Sequence, residues 1–282
     1  MIDLLAIGEL MWLTTIELTH FLKPGETTPV RRVQRMIGND AAIVAVMASQ
    51  MGLTVKLRTN SISENDGQDL IKILLRNQIS LDLMNISSNY TPTNYCLIEK
   101  DGDRTWLPPC INYFPTLPRF KLNAKYVYLD LYEEAEIDRL SVLSEIVNQK
   151  QRIFINLSAT SIDHKLGLLA KNFRKKIDIL QLSSSQNMRQ AQKTAERILT
   201  NLSLKAVIIT LGKNGSILCT PDGVSIQRNE ENIKTFRNMG AGATFSAAFI
   251  YGLTKGYTYE EAHKLAVKKA IEFCSAKNDP LQ

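Results

Sequence analysis

The sequence predicts an α/β domain three layers deep, with a mostly parallel central sheet covered on both faces and a small β lid beside it. Short apolar runs that read as buried strands alternate with helical stretches from residue 3 to 78 and again from 125 to 275. Two extended, half-exposed stretches, 10–35 and 90–114, break that alternation and supply the lid. A pro/gly-rich linker and internal repeats are both missing from the sequence, so residues 1–282 read as a single domain.

Residues 3–8 (DLLAIG) are a compact apolar run closed by glycine, a buried strand. Residues 40–51 are apolar nearly all round. Asn39 or Asp40 can cap that helix and Gly52 can close it. VKLRTN (55–60) reads as a strand, and Leu70, Ile73, Leu74 and Asn77 recur at helical spacing over 66–78. In 90–114 two extended runs flank an Asp-Gly-Asp turn, a hairpin signal. Strands are then expected at YVYLDLY (126–132), RIFINL (152–157), DILQL (178–182) and AVIITLG (206–212), with helices over 134–149, 163–175 and 187–201 between them. A hairpin at 215–226 and helices near 242–254 and 259–275 complete the chain. In such a sheet the ligand crevice lies at the strand C-termini.

Composition narrows the function classes. The chain is 44% hydrophobic and 22% charged, an ordinary folded balance. Cys96, Cys110, Cys219 and Cys274 form no CxxC pair, which argues against a zinc or disulfide framework and for a reducing cytoplasmic setting. No apolar run nears the roughly 18 residues of a membrane span, and the apolar N-terminus carries Asp3 and no basic n-region, so it reads as a strand and not a signal peptide. Net charge is +6. Its clusters (Arg31, Arg32 and Arg35; Lys171 with Arg174, Lys175 and Lys176; Lys264, Lys268 and Lys269) lack interleaved aromatics and read as solvated faces, not as a nucleic-acid surface.

The segment richest in chemistry is Gly240-Ala241-Gly242-Ala243-Thr244-Phe245, at the start of a helix. Glycines there let backbone N–H groups approach an anion, and the helix start adds about half a positive charge. Upstream stand Ile7-Gly8-Glu9, a Gly38-Asn39-Asp40-Ala41-Ala42 helix entry, TPTNYCLIEKDGDRTW (91–106) and AVIITLGKNGSIL (206–218). In this order the segments resemble the ribokinase (PfkB-type) carbohydrate kinase family along essentially the whole chain. That resemblance implies a ribokinase-like fold, ATP with Mg²⁺, and transfer of the γ-phosphoryl group to a sugar or nucleoside hydroxyl. It also implies an anion hole at Gly240, Ala241 and Gly242, a nucleotide site at Thr210, Gly212 and Gly215, and a substrate cleft at Leu13, Gly38, Asn39 and Ile43.

The match fails at the side chains that carry the chemistry. The family's general base, the last Asp of GAGD, is Ala243 here, and its leading Asp-Thr is Arg237-Asn238. A methyl group accepts no proton, and loss of a positioned base costs about 10²–10⁴ in rate. Leu13 replaces an Asp that holds sugar hydroxyls, Asn39 the second glycine of GG, and Ile43 the substrate-binding Asn. Each hydroxyl left unpaired costs roughly 1–3 kcal/mol. Ser183, Ser184, Ser185 and Gln186 occupy the metal-associated NxxE segment, which counts against Mg²⁺. Asp40 and Asp130 are the acids nearest the crevice, expected as a helix cap and a solvated strand end. His20, His164 and His263 lack spaced partners, with His263 expected on the surface.

Three readings stay open. One is a pseudokinase that binds a nucleotide or other anion. The second is a divergent kinase in which water or Asp40 takes the proton. The third is a structural or regulatory homodimer paired through its lid.

Overall fold

The computed structural model describes residues 2–88, 90–99, 103–109, 123–131, 150–157, 162–229, 235–279 and 281. The helix expected over 134–149, Cys110 and the end of the expected hairpin (110–114) lie outside these residues. Among the described residues eight strands form the main sheet. Parallel β4 (Val55–Arg58), β1 (Ile2–Ile7), β9 (Ala124–Leu131), β10 (Arg152–Leu157), β11 (Ile179–Ser183) and β12 (Ala206–Thr210) lie side by side, and β13 (Ser216–Thr220) and β14 (Gly223–Gln227) extend the edge antiparallel.

The strands are apolar at nearly every position because both faces are covered. Side-chain alternation sends Leu4, Ala6, Tyr128 and Phe154 to one core and Leu5, Ile7, Leu129 and Ile155 to the other. The first core packs on α1 (Asp40–Gln50), α2 (Gln68–Arg76), α5 (Ala241–Thr254) and α6 (Tyr259–Ser275). The second packs on α3 (Ile162–Phe173) and α4 (Met188–Leu202). The expected three layers are present. Among the described residues no helix is long and apolar enough to cross a membrane.

The lid is a separate four-stranded sheet in the order β3 (Val30–Gly38), β2 (Met11–Leu18), β7 (Thr93–Ile98), β8 (Arg104–Leu107). The 10–35 stretch thus supplies two strands, the second running on to Gly38. In the 90–107 stretch β7 and β8 pair antiparallel, as the hairpin expectation requires, and the Glu99 amide donates to the Asp103 carbonyl at 3.0 Å. A parallel pair, β5 (Ile62–Ser63) and β6 (Ile86–Ser88), completes the strands among the described residues. Arg31, Arg32 and Arg35 are exposed along β3, in accord with a solvated face.

His263 corrects the sequence reading. It is fully buried beneath β13 and β14, 2.8 Å from Ser216 Oγ through Nε2 and 3.2 Å from Ser225 Oγ through Nδ1. Helical spacing in α6 put it one position after buried Ala262, and the antiparallel extension of the sheet, which covers it, has no signature in α6 itself. Burial pushes its pKa down from the ordinary 6.5 to about 4. The unfolded chain therefore takes up this proton first as pH falls, so stability is full above about pH 6.5 and declines toward pH 4, by about 3 kcal/mol for a shift of this size. Urea unfolding from pH 7.5 to 4 should show that slope in the wild type and a flatter one in His263→Gln. Parallel slopes would contradict a buried neutral imidazole.

Candidate functional site

Three neighbouring strands each carry one polar residue near the C-terminal end, and these three lie in register: Asp130 beside Asn156, and Asn156 beside Gln181. All three are buried. They anchor the starts of two helices. Asp130 Oδ2 accepts from the Ala41 amide at 3.0 Å, fixing the start of α1. Asn156 Nδ2 donates to Asp40 Oδ2 at 2.9 Å. Gln181 serves α5: its Nε2 donates to the Gly242 carbonyl at 3.3 Å, and its Oε1 lies 2.9 Å from Ser246 Oγ.

Asp130 is therefore not a solvated strand end. It is fully buried because Gly8, lacking a side chain, lets β1 and α1 close over it. A Cβ at Gly8 would overlap both Asp130 Oδ1 and Ala41 Cβ. Asp40 is the first residue of α1 and not its cap. Asn39 is the N-cap, at φ 69°, where its Oδ1 accepts from the Asp40 amide at 3.2 Å and its Nδ2 donates to Glu9 Oε2 at 2.6 Å. The carboxamide performs these bonds where the family resemblance places a glycine.

Of the residues expected in the substrate cleft, Gly38 and Leu13 meet, and Ile43 meets Gly240 of the expected anion hole. Gly38 packs on Leu13, with a built Cβ only 3.1 Å from that of Leu13. Ile43 is buried against Gly240, whose own Cβ would sit 3.6 Å from Ile43 Cγ2 and 2.9 Å from Phe273 Cζ. Gly240 has φ 88°, a left-handed conformation that suits glycine, and no side chain caps the helix it opens. Ala243 is fully buried in the first turn, and Thr244 Oγ1, also buried, has no hydrogen-bond partner among the described residues.

Thr210 ends β12, and Gly212 and Gly215 lie in the turn that follows it. Ser183 and Thr210 hydroxyls lie 2.9 Å apart across the tips of β11 and β12. Gly215, at φ 98°, lets the turn press against the Gln227 carbonyl, which a Cβ would overlap. Gln186 Oε1 accepts from Thr194 Oγ1 at 3.2 Å, so it faces α4. Among the described residues no cluster of three His, Cys, Asp or Glu could hold a metal ion. The arrangement can present backbone amides to an anion, whereas the 183–186 segment offers a metal no carboxylate.

Asn156, Gln181 and Ser246 were not singled out from the sequence, yet a signal existed. YVYLDLY, RIFINL and DILQL each break an apolar run with one polar residue near the end. A lone polar residue in a doubly covered strand has to find a partner, and here the partners are helix starts.

Comparison with known proteins gives a consistent picture. A model of the "pfkB family carbohydrate kinase" matches residues 1–278. The nucleoside kinase of Methanothermobacter thermautotrophicus is 23% identical over 280 residues, covering 90% of this chain and 83% of that one. A 5-dehydro-2-deoxygluconokinase of Bacillus thuringiensis is 32% identical over 113 residues, 40% of this chain and 32% of the relative, so this match spans about a third of that relative's length. The crystal structure of ribokinase from Cryptococcus neoformans, in complex with ADP, superposes with a TM-score of 0.82 at 18% identity, covering 99% and 96% of the two chains. Likeness at that identity establishes the fold.

Gly8→Ala should overpack the site over Asp130, at about 1–3 kcal/mol. With about 2–4 °C per kcal/mol for a chain of this size, the melting temperature should fall by about 2 °C or more below wild type. Equal melting temperatures would contradict the closure described here.

Proposed function

The chain belongs to the pfkB carbohydrate kinase family, and from that premise we propose that it is a pseudokinase, a member that keeps the binding cleft and has lost phosphoryl transfer. One observation carries this reading: a methyl group, that of buried Ala243, stands in the first turn of α5 where the resemblance puts the general base. Leu13 and Ile43, both buried and apolar, stand where side chains would hold substrate hydroxyls. Ser183 and Gln186 bond to their neighbours in place of a metal-organising carboxylate.

The groups that remain belong mostly to the backbone. Gly240, Ala241 and Gly242 open a helix without a side-chain cap, and Thr210, Gly212 and Gly215, at the end of β12 and in the turn after it, would form the nucleotide side. Ribokinases of Cryptococcus neoformans and Arabidopsis thaliana were solved with ADP and with ribose and ATP. For this chain the residues suit nucleotide phosphates and do not suit Mg²⁺ at 183–186. The proposed role is a cytosolic sensor or regulator that binds a nucleotide or a small anion.

A divergent kinase is the second reading, favoured by the Asp40 carboxylate, which Asn156 holds at the strand ends. A paired lid is a further part of the proposal. Val33, Tyr95 and Leu107 are exposed, and the strand register puts them on one face of the lid sheet, whose edges homodimer formation would cover.

With Mg-ATP and a panel of sugars and nucleosides, the purified chain should release no ADP above a protein-free control, while ATP or ADP raises its melting temperature. Turnover near 1 s⁻¹, the ordinary kinase range, would overturn the pseudokinase reading. A fall of about 10² or more in Asp40→Asn would then assign the base to Asp40. Light scattering should give twice the 31.7 kDa chain mass, and the single mass after Tyr95→Glu with Leu107→Glu. A monomeric wild type would rule out lid pairing.

A further inference from the structure

A cavity of about 480 Å³ lies between the lid and the C-terminal segment. Arg32, Gln34 and Met36, alternate residues of β3 and so on one face, form its lid wall. Arg237, Lys277 and Asp279 stand among the residues opposite. Among the described lining residues, three cationic side chains against one carboxylate leave a formal surplus of two positive charges.

Arg237 is held in place. Its Nη1 lies 3.1 Å from Asp279 Oδ1, its Nη2 donates to the Lys277 carbonyl at 3.3 Å, and its guanidinium sits 5.9 Å from the Phe273 ring centre. Asp279 is thus matched by Arg237, and the charges of Arg32 and Lys277, both exposed, are the surplus. Glu17, across the strands from Arg32, is not among the residues that line the cavity.

The cavity adjoins the cleft. Phe273 packs beside both Arg237 and Gly240, and Met36 is the register partner of Leu13. Asn94 pairs with Leu13 on the other side and shares that face of the lid. Its Oδ1 is buried and has no hydrogen-bond partner among the described residues. Such an unmet buried acceptor is costly, and a ligand hydroxyl under the lid would satisfy it.

We propose that this cavity binds the carboxylate or phosphate group of a small hydroxylated ligand seated beneath the lid, with Arg32, Arg237 and Lys277 as the recognising cations. The inference rests on the reading of the cleft as a ligand site and adds the chemical class of what enters it. Arginine suits this role because its planar donors match the paired oxygens of either group.

The test is calorimetric titration of the full chain with gluconate, inorganic phosphate and neutral sorbitol. Saturable binding of gluconate or phosphate, weakening as salt rises, with none for sorbitol, is the expected result, and the anion that binds identifies the group. Arg32→Ala with Lys277→Ala removes two exposed side chains, so the fold should survive, and binding should weaken roughly tenfold or more. Arg237→Lys, which keeps the charge beside Asp279, should weaken it less. Equal affinity for sorbitol, no anion binding, or unchanged affinity in the double variant would overturn the proposal. An ATP titration of the same proteins separates the two failures. Loss of the anion response with ATP binding intact sinks this inference alone, whereas loss of the ATP response in wild type sinks nucleotide binding.

Discussion

One hydrogen bond, from the Ala41 amide to the buried carboxylate of Asp130, sets the geometry of the crevice. It joins the first turn of α1 to the end of β9, and it forms only because Gly8 presents no side chain between them. A helix start carries unpaired N–H groups and partial positive charge, so a carboxylate beneath it answers both needs at once. With α1 fixed, Asn39 turns toward Glu9, Asp40 reaches Asn156, and Ile43 meets Gly240. The Gln181 contacts with Gly242 and Ser246 repeat the arrangement for α5.

Two helix starts are thereby aimed at one crevice, but the side chains around them are uneven in chemistry. The backbone donors near Gly240 and the turn at Gly212–Gly215 need no particular side chain. Leu13, Ile43 and Ala243 are apolar where the family resemblance calls for polar groups. Such a site can hold charge by fixed dipoles and cannot move a proton through those three residues. The proposed recognition without phosphoryl transfer rests on this imbalance, and the proposed anion site under the lid would add specificity that the apolar cleft residues lack.

Much of this was legible in the sequence. Strand and helix order came from apolar periodicity, since each strand of a doubly covered sheet is apolar almost throughout. The lid came from two stretches that break the alternation, although β3 runs three residues past the expected end because Met36, Ile37 and Gly38 continue its pairing with β2. Asp130 and His263 were misplaced for a common reason. Their burial is imposed by segments distant in the chain, Gly8 and α1 for one and β13–β14 for the other, which local pattern does not record. The cavity was illegible because it joins β3 to the C-terminal segment, some 240 residues apart in the sequence.

Whether the cleft holds phosphate without passing it on is best read by ³¹P nuclear magnetic resonance of Mg-ATP with equimolar protein and a mixture of polyols. The γ-phosphate resonance should shift or broaden on contact with the protein, and no phosphomonoester signal should grow over hours. A new phosphomonoester peak, appearing with the loss of the γ signal, would mean that some group other than the one at residue 243 accepts the proton, and the account would fail.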